Sequence, residues 1–174
     1  MEDEKPSGVR LGKLSHVGVV VRDMDEATEY YSTVFGLGPF TTEVYDLKSF
    51  NYRGKMASAR VKAAIAYSGP VFIELVQVLE GETVHTEFLR ERGEGLQHVA
   101  FLVRNLDEKL KELAKSGIEP AMSLRIPIDA PAGQAGTGKK TRLELTEVYL
   151  DSGRIGGTMI QLMEFREVPL GTVQ

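Results

Sequence analysis

The sequence predicts an α+β fold made of two copies of one βαβββ module. Three observations predict it: an internal repeat, strand-length apolar runs each followed by a capped helix, and two histidines at the same point of the repeat. Laying residues 14–26 over residues 96–108, an offset of 82, gives seven identities in thirteen positions. They are Leu14/Leu96, His16/His98, Val17/Val99, Val21/Val103, Arg22/Arg104, Asp25/Asp107 and Glu26/Glu108. At roughly 6% identity per position, about one match is expected by chance. A repeat of this kind specifies architecture before any single residue does.

The elements follow in order. Leu14 to Val21 is apolar, β-branched and short, the pattern of a buried strand. Asp23 is the expected N-cap of the next helix, with Glu26 three residues on at capping-box spacing. That helix carries Ala27, Tyr30, Tyr31 and Val34, and Gly36 stops it. Phe40 to Asp46 reads as a strand and Lys48 to Ala57 as polar and irregular. Val61 to Tyr67 and Val71 to Val78 are strands joined at Ser68-Gly69-Pro70. Thr83 to Arg92 reads as a short connecting helix. In the second half Gln97 to Val103 is a strand. Asn105 caps a helix ended by Gly117, and strands follow near 121–126, 142–150 and 158–165. Pro127 to Lys140, rich in Pro, Gly and Ala, is long enough to be a lid or binding loop. The expected division is a tail at 1–12, a first module at 13–80, a linker helix at 81–95, a second module at 96–166 and a tail at 167–174.

Bulk properties narrow the function. The 174 residues are 42% hydrophobic and 26% charged, an ordinary globular profile. A formal net charge of −4 gives no basic field for nucleic acid or anionic membrane. The apolar runs are far too short to span a bilayer, and the polar N-terminus has no secretory pattern, so a cytoplasmic location is expected. With no cysteine, thiolate metal sites and cysteine nucleophiles are excluded.

Strand side chains alternate between faces. His16 then shares a face with Gly18 and Val20, and His98 with Ala100 and Leu102. Glu74 shares a face with Phe72 and Val76, and Gln161 with Met159 and Met163. Each is a polar group alone among apolar neighbours, and a lone buried carboxylate is costly unless paired or bound to metal. A pseudo-dyad between the modules would gather all four. Two imidazoles with carboxylate and amide oxygens suit one divalent ion: Co, Zn, Ni, Mn or Fe. His85, in the linker without a repeat partner, is expected to be a solvated surface residue. Tyr30 and Tyr31 are expected to pack the first helix on the sheet, and Arg22 and Arg104 to form salt bridges at the strand–helix turns. Lys139, Lys140 and Arg142 are either a solvated basic turn or a contact for an anionic substrate. Gly133 to Lys139 has P-loop spacing, but no hydroxyl residue follows the lysine and a strand follows instead of a helix.

Leu14 to Val21, then Tyr30-Tyr31 and Phe35-Gly36-Leu37, resemble the opening of a vicinal-oxygen-chelate protein. This is the superfamily of glyoxalase I, methylmalonyl-CoA epimerase, extradiol dioxygenases and the fosfomycin- and bleomycin-resistance proteins. Phe72-Ile73-Glu74-Leu75 and Gly93 to Phe101 most resemble methylmalonyl-CoA epimerase, as do Tyr149-Leu150-Asp151 and Gly156 to Leu162. The resemblance implies that residues 13–166 form a curled, partly open mixed β-sheet barrel with flanking helices. It implies a metal on His16, Glu74, His98 and Gln161. Relatives usually carry Glu where Gln161 stands, and that Glu also acts as base. A further Glu found on the third strand in some epimerases falls at about Ala63 here. The implied activity is proton transfer beside a carbonyl or thioester, epimerase-like or lactoylglutathione-lyase-like. Glu74 is then the expected proton-transfer group, and Glu164, three residues from Gln161, faces the other way. The implied partners are a small-molecule substrate, with a CoA thioester among the candidates, and a second copy in a homodimer. The alternatives are an Fe(II)-dependent ring-cleaving-type dioxygenase, for which His16, His98 and Glu74 form a two-His-one-carboxylate set, and a non-catalytic antibiotic-binding protein.

Overall fold

A computed structural model describes residues 8–128, 141–154 and 156–169. The first half consists of β1 (Lys13–Val20), α1 (Met24–Phe35), β2 (Thr41–Tyr52), β3 (Lys55–Ser68) and β4 (Val71–Gly81). After α2 (Val84–Arg92) come β5 (Gly95–Leu102), α3 (Leu106–Ala114), β6 (Pro120–Ile128), β7 (Thr141–Leu150) and β8 (Met159–Pro169). The chain is thus α+β, with two βαβββ runs. Among the described residues no helix is long and apolar enough to cross a membrane.

The eight strands close into a barrel in the order β1-β4-β3-β2-β6-β7-β8-β5. In each half the first strand lies parallel to the last, β1 beside β4 and β5 beside β8. The halves join twice. β1 and β5 pair antiparallel along their length. β2 and β6 pair only where Asn51 and Tyr52 face Ser123 and Met122, so most of that second seam is unzipped.

Alternation divides the side chains as a half-buried strand requires. On β4, Ile73 and Leu75 turn outward and pack with Met24, Ala27 and Tyr31 of α1. On β8, Ile160 and Leu162 pack with Leu106, Leu110 and Leu113 of α3. Inside the barrel, Phe50, Val61, Val76, Met122, Leu124 and Tyr149 form one apolar cluster. Tyr31 packs on the sheet as expected, whereas Tyr30 is 53% exposed.

Several local expectations need correction. Residues 48–57 are not irregular, because β2 runs on to Tyr52 and β3 begins at Lys55. Phe50, 3% exposed, anchors this stretch in the core, and a register shift between Leu47 and Phe50 accommodates the polar residues between them. Arg53 and Gly54 turn the hairpin with positive φ values of 47° and 77°. Arg53 also clamps the unzipped seam: its guanidinium donates to Glu87 of α2 at 2.6 and 2.9 Å and to Asp151 at 3.3 Å. Asp23 caps α1 by accepting from the N–H groups of Asp25 and Glu26. Asn105 sits at the corresponding position but is left-handed and makes no side-chain cap. The buried carboxylate of Glu164 accepts from Leu106 N–H instead, at 3.4 Å, so Glu164 does face away from Gln161. No side-chain ion pair forms at Arg22 or Arg104 among the described residues. Arg22 is tied through its backbone, its N–H donating to Glu94 and its carbonyl accepting from Gln77.

Candidate metal centre and cavity

The strand register places the four predicted polar residues on two adjacent rows across the β1–β5 seam. One row runs from Glu74 through Gly18 to His98. The other runs from Phe72 through His16 and Ala100 to Gln161. Each histidine therefore lies opposite a small residue of the other module. At Gly18 the need is absolute: a Cβ there would come within 1.8 Å of the His98 ring.

Three donor atoms converge at this point. His16 Nε2 and His98 Nε2 are 3.3 Å apart, and Glu74 Oε2 is 3.4 Å from each. The centre of that triangle lies about 1.9 Å from every corner, close to ordinary metal–nitrogen and metal–oxygen bond lengths. His16 and His98 are 1% and 0% exposed. Gln161 is equally buried, and its Oε1 has no hydrogen-bond partner among the described residues. An orphaned buried amide oxygen costs stability unless something outside the protein satisfies it. The donor set and this orphan both fit a divalent cation.

The outer groups orient the rings. Gln97 Oε1 lies 3.0 Å from His98 Nδ1 and 2.7 Å from His85 Nδ1, and Gln97 Nε2 donates to the Val84 carbonyl at 2.7 Å. An amide oxygen only accepts, so both ring Nδ1 atoms carry protons and His98 Nε2 keeps its lone pair for the cluster. Ser15 Oγ stands 3.3 Å from His16 Nδ1 in the matching place. Phe72 stacks on His16 with centroids 4.4 Å apart, and Tyr149 meets His98 edge-on at 5.2 Å.

Charge follows from this packing. Burial raises the pKa of Glu74, but hydrogen bonds and charge from His16 and His98 outweigh it and hold the carboxyl well below its usual range. Burial pushes the His98 pKa down, against the pull of Glu74. His85 is 3% exposed rather than solvated, and burial brings its pKa down to about 4. It is the second residue of α2, which packs against β4, β1 and β5, and its side chain lines the cavity.

A cavity of about 440 Å³ opens beside the cluster, and both His16 and Glu74 line it. Its walls are mainly aliphatic, with Glu43, Tyr45, Thr83, His85, Glu147 and Tyr149 as further polar groups. Tyr45 donates to Glu43 at 2.8 Å. Burial, then the charge of Glu74, raises the Glu147 pKa to about 8. Sequence reasoning missed Glu43, Gln97 and Glu147. Glu147 carried the signal that revealed Glu74, a single acid alternating with Leu145 and Tyr149 on a strand. Arg142 lies on the face of β7 opposite Leu145, Glu147 and Tyr149, and is not brought to the cavity. Lys139, Lys140 and most of the expected lid loop lie outside the described residues.

Residues 15–136 match the Glyoxalase/Bleomycin resistance protein/Dioxygenase superfamily. An uncharacterized protein of Bacillus subtilis, YqjC, is 25% identical over 88% of this chain and 93% of its own. Mitochondrial methylmalonyl-CoA epimerase of Mus musculus is 29% identical over 63% of this chain and 56% of its own length. Among solved structures, methylmalonyl-CoA epimerase from Mycobacterium tuberculosis superposes with a TM-score of 0.55 at 23% identity, covering 88% of both chains. The Streptomyces coelicolor enzyme in complex with 2-nitronate-propionyl-CoA gives 0.57 at 19% identity over 89% of this chain and 95% of that one. At these identities the likeness is one of fold.

Proposed function

We propose that this chain, which belongs to the Glyoxalase/Bleomycin resistance protein/Dioxygenase superfamily, holds one divalent cation on His16, Glu74, His98 and Gln161 and catalyses proton transfer beside a carbonyl or thioester. The observation that carries this reading is the donor triangle of 3.3, 3.4 and 3.4 Å opening onto an apolar cavity. A cation held there supplies Lewis-acid stabilisation of the oxyanion charge that develops as the neighbouring carbon loses its proton. Gln97 holds His98 in the tautomer a ligand needs, and Ser15 is placed to orient His16. The aliphatic walls exclude water from the acyl portion of the substrate. Glu74 stays ionised between two histidines, which suits a ligand better than a base, so we keep it on the cation. The epimerase relatives support a CoA thioester substrate. The protein acts as a homodimer in this reading, which light scattering would test by returning twice the chain mass.

Metal analysis of the purified protein, with solvent-deuterium incorporation into methylmalonyl-CoA, tests the proposal. Bound Co, Ni, Zn or Mn with incorporation is the expected result. Bound Fe with O₂ uptake favours the dioxygenase reading, which the two-His-one-carboxylate set supports. No bound metal, with His16→Ala harmless to folding and ligand binding, would sink both.

A further inference from the structure

Three carboxylates line the cavity: Glu43, Glu74 and Glu147. Two are engaged. Glu43 accepts from the Tyr45 hydroxyl at 2.8 Å, and Glu74 lies against the two histidines. Glu147 forms neither a hydrogen bond nor an ion pair with its side chain among the described residues. Its register partners are Leu124 on β6 and Met163 on β8, and Leu145 and Tyr149 flank it on its own face of β7. An acid with so little polar company is expensive to keep unless it works there.

The strand register says where Glu147 stands relative to the metal cluster. In the first module Glu74 faces Ile65 on β3, and Val76, two residues on, faces Ala63. In the second module Gln161 faces Tyr149 on β7, and Met163, two residues on, faces Glu147. Glu147 and Ala63 are therefore pseudo-dyad mates on opposite walls of one cavity, and both line it. The first module places a small methyl on its wall. The second places a carboxyl at the same distance along the strand from its own ligand row. A substrate whose oxygen rests against the cluster meets, on the wall beyond it, one acid that among the described residues is neither in the donor triangle nor hydrogen-bonded.

We propose that Glu147 is the group that removes and returns the proton on the carbon next to the substrate carbonyl. This rests on the function proposed above. The carboxylate form takes the proton as the C–H bond breaks. That electron pair moves into the adjacent carbonyl to give the enolate, and the new O–H bond forms on Glu147. Reversal delivers a proton from Glu147 to carbon, and no further reactant is consumed. The groups facing Glu147 around the cavity are Glu74 on β4, Tyr149 on β7, Glu43 and Tyr45 on β2, His16 on β1 and His85 on α2. Burial, and after it the charge of Glu74, opposes its ionisation, which holds it near the neutral range where one group can both give and take a proton.

The test is hydrogen–deuterium exchange in deuterium oxide, with cobalt-loaded wild type, E147Q and E147D, on methylmalonyl-CoA and on benzylacetone, an uncharged enolisable ketone. E147Q should lose at least about 100-fold in exchange rate, as expected for removal of a general base. Its cobalt content and melting temperature should match or exceed those of wild type, and E147D should recover part of the rate. The wild-type rate should rise with pH as Glu147 ionises, and the residual E147Q rate should lack that limb. Equal rates in wild type and E147Q would overturn the role of Glu147 alone. Exchange of neither probe by wild type would overturn the enolisation reading and this role with it. A loss in E147Q accompanied by loss of cobalt would show a structural role and also overturn the proposal.

Discussion

The two modules follow one register, yet they hold their histidines differently. In the first, His16 rests on Ser15 at 3.3 Å and, with Glu74, forms part of the cavity wall. In the second, His98 is pressed against Gly18 and locked by Gln97, itself fully buried and bound to His85 and Val84. The small residues under the rings differ too, glycine beneath His98 and Ala100 opposite His16. Within the metal cluster, the first module thus presents His16 and Glu74 to the cavity, and the second supplies His98 as a rigid anchor behind them. Duplicated halves need not share work equally once their site lies on the axis between them.

The largest difference to test is ligand loss. His16→Ala and His98→Ala should each weaken metal binding by more than the roughly 10–100-fold that outer-shell partners cost, as equilibrium dialysis would show. If either variant kept wild-type affinity, the triangle would not be the binding site. Next come the orienting residues. Gln97→Leu should cost about 10–100-fold in affinity, and Ser15→Ala less than about tenfold, because only Gln97 is itself anchored. Equal losses would remove the distinction drawn between the modules.

Smaller effects concern the seam. Gly18→Ala must displace the His98 ring and should cost about 1–3 kcal/mol in denaturant unfolding. Ala100→Gly should cost only about 0.5–1 kcal/mol, chiefly in chain entropy. The reverse ranking would mean that the His98 ring has room to shift.

Another effect of this size is on pH. The Glu147 pKa is raised from 4.5 to about 8, first by burial and then by Glu74. Below pH 4.5 the group is neutral in both folded and unfolded chains and costs nothing. Between pH 4.5 and about 8 the unfolded chain ionises while the folded one does not, so stability is lost as pH rises. In metal-free protein E147Q should abolish at least about 1 kcal/mol of that decline. Identical stability–pH curves for wild type and E147Q would place Glu147 in a wetter setting.

Much of this was legible in the chain. The offset of 82 paired His16 with His98, and strand alternation singled out Glu74 and Gln161. His85 was misread because its neighbourhood is polar and unrepeated. Its burial arises from the packing of α2 against β4, β1 and β5, which no local pattern encodes. Lys48 to Ala57 was misread because polar residues at a bulge mask the alternation around Phe50.

What the sequence determined by itself is the module, its duplication and the identity of the three converging side chains, His16, Glu74 and His98. Those depend on period-two alternation and repeat spacing, which are properties of the chain alone. Only tertiary structure decided that Gly18 makes room for His98, that Gln97 fixes its proton, and that Glu147 faces the cavity without a polar partner among the described residues. Each of these depends on which strand lies beside which, and therefore on barrel closure.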